Sequence, residues 1–251
     1  MEILFLGADA WRPENAGSDT VSLLINGTVM VDTGWHPVHN LLREGKSPED
    51  VSTLLLTHLH QDHRIGLPQM LFWLLNGMHD ASGLEIMGVE GVGSMADTAL
   101  EFAGKDEFFR ESPGPSVKTI WAGEVFERAG LRIETERSHH AVPGLMYAFT
   151  GEDGKRVVYS GDTAPNRDTI AFARGADILI HECSFGAAVP EGSDNACGHS
   201  GAVEAAQIAR ISGVRELVLV HCNPLYSAAA LAAARSVFPA SVRAESGMVI
   251  R

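Results

Sequence analysis

The stretch Thr57-His58-Leu59-His60-Gln61-Asp62-His63 decides how this chain reads. Three histidines and one aspartate fall between positions 58 and 63. Residues 54–56, all leucine, lie directly before them and predict a buried strand. In an extended turn after a strand, alternate side chains point the same way. His58 and His60 can then grip one metal ion, while Asp62 and His63 reach a second. Imidazole and carboxylate donors suit zinc, iron or manganese. So dense a cluster serves no packing purpose, because buried polar groups without partners cost free energy.

Outward from this motif, short apolar runs alternate with helical stretches. Ile3–Gly7 predicts a first strand, and with no basic segment before it the N-terminus does not read as a signal peptide. Residues 21–25 and 29–31 predict two strands around the turn Asn26-Gly27. Residues 67–75 predict a helix with Pro68 in its first turn. Strands are expected at 157–159, 178–180 and 217–220, and the last strands at 242–250. Helices are expected at 201–211 and 228–237. Polar residues of metal-binding type stand where the strands end, which is where layered α/β folds build their sites. Two packed sheets flanked by helices follow, with the cluster along one edge. Residues 101–117, rich in charge, Gly and Pro, read as a surface excursion: a lid or a plain connecting loop.

Composition narrows the function. The 251 residues suffice for a sizeable core, and 45% hydrophobic with 20% charged is ordinary for a soluble globular protein. No apolar run reaches the ~20 residues that span a bilayer. The formal net charge of −13 disfavours a large nucleic acid, whose phosphates need Lys and Arg. Cys183, Cys197 and Cys222 form no CxxC pair, which fits reduced thiols in a cytoplasm.

The HxHxDH pattern at 58–63 resembles the signature of the metallo-β-lactamase superfamily. That resemblance continues in His140 of SHHAVPGLMY, Asp162 of YSGDTAP and His221 of LVLVHCNP, and runs from Phe5 to about Pro224. It implies an α/β fold: an αββα sandwich of two packed mixed β-sheets flanked by helices, as a single domain over residues 1–251. It also implies a hydrolase with two divalent metal ions, zinc ahead of manganese or iron. His58, His60 and His140 would hold one ion, Asp62, His63 and His221 the other, and Asp162 would bridge them. Two adjacent ions lower the pKa of a shared water towards neutrality, and Asp62 would orient it. His139 competes with His140, but the His-x-x-Pro-Gly context favours His140. Asp32 in VMVDTG would support the ligand loop, or be a simple turn residue.

Four further stretches are similar to ribonuclease Z and its smaller relatives: FLGADA, THLHQDHRIGLP, HECS at 181–184, and GHSGAVEAAQIA. In that group the glutamate and histidine matching Glu182 and His199 form a proton relay near the leaving group. Otherwise Glu182 is a structural carboxylate capping a loop, and His199 starts a helix that Ser200 caps. The tRNA-processing members carry a long basic arm between the later histidine and the bridging aspartate. Here only residues 141–161 separate His140 from Asp162. Cys222, Asn223, Pro224 and Leu225 also stand where the group usually has a serine and arginine.

A small phosphodiester is therefore the expected substrate, with Arg64 or Ser160 as candidate phosphate contacts. A lactone, thioester or other carboxylic ester is the alternative, with residues 71–74 lining an acyl pocket unless they are helix core. Di-iron redox chemistry lacks a flavin domain here, and a non-catalytic scaffold would not need a full ligand set. Expected partners are a small molecule and, through the apolar run 70–75, a second copy of the chain. Large nucleic acid and membrane are not expected.

Overall fold

Continuous apolar strands need cover on both faces. The structure, a computed structural model describing residues 1–13, 15 and 17–251, supplies it. In chain order the first part comprises β1 (Ile3–Gly7), β2 (Ser22–Ile25), β3 (Val29–Val31), α1 (Pro37–Arg43), β4 (Thr53–Leu55), α2 (Gln61–Arg64), α3 (Leu67–Met78), β5 (Glu85–Gly88), α4 (Val92–Phe102), α5 (Lys105–Phe108) and β6 (Ser116–Thr119). The second part comprises β7 (Val125–Arg128), β8 (Leu131–Arg137), β9 (Leu145–Thr150), β10 (Arg156–Tyr159), α6 (Arg167–Ala173), β11 (Ile178–Glu182), α7 (Ala202–Ser212), β12 (Glu216–Val220), α8 (Ser227–Val237), β13 (Ser241–Arg243) and β14 (Val249–Ile250).

Two seven-stranded sheets result, ordered β14-β1-β2-β3-β4-β5-β6 and β13-β12-β11-β10-β9-β8-β7. Both are mixed. From β3 to β6 and from β10 to β13 the neighbours run parallel, and the remaining pairs are antiparallel. Alternation along each strand splits its side chains between two cores. Ile3 and Phe5 of β1 point between the sheets, where they join Tyr147, Phe149 and Tyr159. Leu4 and Leu6 face the opposite way, onto a layer with α3 and α4. Val218 and Val220 of β12 likewise point between the sheets, while Leu217 and Leu219 pack beneath the alanines of α7. The order helix, sheet, sheet, helix is the expected αββα sandwich.

Most element expectations hold. Asn26 and Gly27 turn β2 into β3 with φ of 50° and 75°, as a tight hairpin turn requires. The last strands are present, and they part company: β13 joins one sheet and β14 the other, so the chain crosses between layers. Residues 101–117 are not a lid. α4 starts just beyond the end of β5 and runs back, because β6 must pair parallel with β5. α5 and the following turn therefore lie at the edge opposite β4's exit, where Ala81 N–H bonds the Pro113 carbonyl at 2.9 Å. In the 70–75 run, Met70, Leu71, Leu74 and Leu75 are buried core. Phe72 is half exposed, and the Trp73 indole donates to Glu49. This run is a helix's inner face, not an acyl pocket, and little of it is free to meet a second chain.

A buried carboxylate fastens the loops beside the future site. Asp19 Oδ1 accepts from Thr20 N at 2.7 Å and Trp35 N at 3.1 Å; Oδ2 accepts from His36 N at 2.8 Å and Asn40 Nδ2 at 2.6 Å. Hydrogen bonds to a charged acceptor are worth roughly 1.5–3 kcal/mol each, and orphaned buried donors cost more. Asp19→Ala should cost about 3 kcal/mol of stability, read as a lower urea midpoint at unchanged slope. A midpoint equal to wild type would contradict this account.

Candidate metal centre

β4 delivers the motif to the edge where the parallel strands of both sheets end. His58 follows in extended chain and pairs with Gly144 in an isolated bridge. The extended geometry stops at His60, with φ −68° and ψ 154°. The single helical turn α2 then carries Asp62 and His63, so the second pair of donors is placed by helical and not extended spacing. The other donors come from the second sheet. His140 lies between β8 and β9, Asp162 follows β10, and His221 follows β12. Gly161 sits at φ +53° and a Cβ there would press on Thr57 and the Leu145 carbonyl, so the turn into Asp162 requires glycine.

All seven expected donors converge. Asp162 Oδ2 lies 3.7 Å from His58 Nε2, 3.5 Å from His63 Nε2, 3.6 Å from His221 Nε2 and 4.0 Å from His140 Nε2. His60 Nδ1 faces His140 Nε2 at 3.0 Å. Asp62 Oδ2 is 3.1 Å from His221 Nε2 and 3.5 Å from His63 Nε2. Two donor groups are compact enough to hold an ion each: His58, His60, His140 with Asp162, and Asp62 with His63 and His221. His199 is close enough to Asp162 and His221 to complete a third group, but its Nδ1 is engaged by Glu182 at 2.9 Å.

The donor atoms fit metal ions and little else. His58 Nε2, His63 Nε2 and Asp162 Oδ1 are buried without a hydrogen-bond partner among the described residues, an arrangement costly unless a cation satisfies it. The opposite ring nitrogens are held from behind. His58 Nδ1 contacts Thr57 Oγ1 at 3.0 Å, and His63 Nδ1 contacts Asp32 Oδ2 at 2.8 Å. His140 Nδ1 contacts the Gly198 carbonyl at 3.0 Å, and His221 Nδ1 contacts Ser184 Oγ at 2.7 Å. Such contacts fix the ring and leave Nε2 as the ligand atom.

Charge divides the cluster. Burial, reinforced by His63, holds the His58 pKa well below that of free histidine. Burial and His140 also lower that of His60. Burial alone would lower His63 as well, but Asp162 and Asp32 outweigh it and raise its pKa well above the usual range. Asp162 and Asp62 raise His221 against burial in the same way. Asp62 is lowered, since its bond to His221 and the charge of His63 overcome burial.

Beside the cluster, Glu182 is fully buried. Its Oε1 accepts from Ser200 N at 3.0 Å and Thr163 N at 3.1 Å and meets His199 Nδ1 at 2.9 Å. Its Oε2 accepts from Ser184 N and Oγ, both at 2.8 Å. Glu182 thus both braces loops and contacts His199. It raises the His199 pKa against the opposing effect of burial. The helix-capping expectation for Ser200 fails. Gly201 is the cap of α7, and Ser200 Oγ donates to the Thr163 carbonyl.

Other expectations sort cleanly. His139 is an outer residue, its Nε2 2.7 Å from the exposed Asp168. Asp32 does support the ligand loop. Of the two candidate phosphate contacts, Ser160 is buried with its Oγ on the Gly161 carbonyl, while Arg64 is half-buried and uses its Nε on the Leu59 carbonyl at 2.7 Å. Ser184 was missed. Its only signal in the sequence is its place two residues after Glu182.

Residues 27–222 match the family described as "Beta-lactamase superfamily domain". The chain is 30% identical to "Ribonuclease BN" of Enterobacter sp. (strain 638) over 305 aligned positions, covering 100% of this chain and 99% of the relative. It is 27% identical over 302 positions to "Ribonuclease Z" of Methanothermobacter thermautotrophicus, covering 100% and 96%. Both alignments exceed the 251 residues of this chain, so the relatives hold segments it lacks. The metallo-β-lactamase fold protein YhfI from Bacillus subtilis shares the fold at a TM-score of 0.82, with 21% identity, covering 99% of this chain and 98% of that one. The convergent histidine and aspartate donors and these likenesses together make the chain a member of the metallo-β-lactamase superfamily, a metal-dependent hydrolase related to ribonucleases BN and Z.

Proposed function

We propose that this protein hydrolyses a small phosphodiester at a dinuclear site. His58, His60 and His140 would hold one divalent ion, Asp62, His63 and His221 the other, with Asp162 between them. Zinc suits this donor set, as do manganese and iron. When bound, such a pair supplies an activated water and polarises the phosphoryl group. The Asp62 carboxylate, 15% exposed at the mouth of the cluster, orients the nucleophile.

The Glu182–His199 pair carries the reading. Glu182 holds His199 at Nδ1, which leaves Nε2 as the donor towards a departing alkoxide. An imidazole whose pKa is raised by its carboxylate keeps that proton at higher pH. An alkoxide needs such a proton far more than a stabilised leaving group does. The substrate is small because β9 and β10 are joined by a tight turn over residues 151–155, leaving no room for an arm. The net charge of −13 further disfavours a polynucleotide. Residues 1–251 act as one catalytic unit in this reading. Free Cys183, Cys197 and Cys222 support a reducing, cytoplasmic setting, and among the described residues no helix is long and apolar enough to cross a membrane.

Purified protein should hydrolyse bis(p-nitrophenyl) phosphate, lose that activity on metal stripping, and regain it with zinc or manganese. A fully metallated sample without turnover would turn the assignment to carboxylic esters. His63→Ala should drop bound metal from two ions to one per chain by elemental analysis and abolish nearly all turnover. Undiminished activity would overturn the two-ion site. His199→Ala should slow alkyl leaving groups about 10²–10⁴-fold while sparing p-nitrophenolate. Equal losses on both would argue against an acid role.

A further inference from the structure

The inter-sheet core is not closed at the site edge. Val89, Ile120 and Leu145 belong to that core. They also floor a cavity of about 260 Å³ between the ends of β5 and β6 and the β8–β9 connection. Trp121, Ala122 and Pro143 add further apolar lining, and Glu90 and Arg137 are its charged residues. Trp121 is 57% exposed. Along β8, Leu131, Ile133 and Thr135 are the buried alternates, so Arg137 continues that inward row past the end of the core. No side-chain hydrogen bond or ion pair engages the Arg137 guanidinium or the Glu90 carboxylate among the described residues.

The cavity adjoins the metal centre. Gly144 lines it and also pairs with His58, and Leu145 N donates to the Thr57 carbonyl at 2.8 Å. The cavity thus lies one backbone away from the histidine donors, within reach of the far end of a substrate whose phosphate sits at the metal centre. The volume lies just below the ~300 Å³ at which drug-sized pockets begin, which suits one ring system. An apolar floor with an exposed indole favours a flat ring, since aromatic faces stack. An acyl chain would leave a guanidinium and a carboxylate without use. A heterocycle offers both acceptors and donors on its edge.

We propose that this cavity is a nucleobase subsite, with Trp121 as the stacking wall and Arg137 and Glu90 reading the ring edge. The substrate is then a small nucleotide phosphodiester. This rests on the phosphodiester reading above, but its test does not need turnover. Calorimetry on the metal-loaded protein compares adenosine 5′-monophosphate, methyl phosphate and hexyl phosphate. Wild type should bind the nucleotide at least about tenfold tighter than methyl phosphate, in line with base–aromatic stacking. Trp121→Ala, at an exposed position that leaves the core intact, should remove most of that advantage while methyl phosphate affinity stays unchanged. Absence of the advantage in wild type, or its survival in Trp121→Ala, would overturn the subsite. Hexyl phosphate binding as tightly as the nucleotide would also overturn it, in favour of an acyl slot. If bis(p-nitrophenyl) phosphate is not hydrolysed while the nucleotide preference holds, the reaction is wrong and the subsite stands.

Discussion

The carboxylate of Asp32 holds the centre together. It follows β3, is fully buried, and sits at φ 55°, a left-handed backbone conformation that non-glycine residues seldom adopt. Such strain costs on the order of 1–3 kcal/mol. Three contacts offset it: Thr57 N and Thr57 Oγ1 donate to Asp32 at 2.8 Å, and His63 Nδ1 lies at 2.8 Å. Through them the end of β3 sets both the start of the histidine loop and the ring of its last histidine. His221, across the cleft, is held at φ 52° in a comparable way, with its N–H on the Ala8 carbonyl at 2.7 Å. The donors converge because buried backbone and carboxylate bonds outweigh local strain, and not because the loops prefer these shapes.

Electrostatics gives the two donor groups different characters. His58 and His60 favour the neutral form, in which imidazole is ready to ligate. His63 and His221 favour the charged form, because they stand among Asp32, Asp62 and Asp162. A proton on either ring would offset the charge of the carboxylates. A divalent ion does the same with more charge in the same space.

Much of this was legible in the chain. The 58–63 motif, the apolar run before it, and His140, Asp162 and His221 beyond later strands pointed to both the layered fold and the residues that converge in it. Reading failed where meaning depended on tertiary neighbours. Ser160 looked like a phosphate contact, yet it is buried and the Gly161 carbonyl claims its hydroxyl. Residues 101–117 read equally as a lid or a plain connecting loop, and it is the parallel pairing of β5 and β6 that sends them to the far edge. The cavity draws on residues 89–90, 120–122, 137 and 143–145, and no local pattern marks it.

Ser184 has a wider meaning. Its hydroxyl lies between Glu182 Oε2, at 2.8 Å, and His221 Nδ1, at 2.7 Å. The same carboxylate meets His199 through its other oxygen. The ring proposed to donate protons and a ring in the donor cluster therefore share one buried anion. A substitution that makes Glu182 a stronger base for one ring changes the electron density offered to the other. With the roles proposed for His199 and His221, proton delivery and ion retention are coupled through that carboxylate. Descendants of this chain that adapt to new leaving groups would then change their hold on metal as they do so.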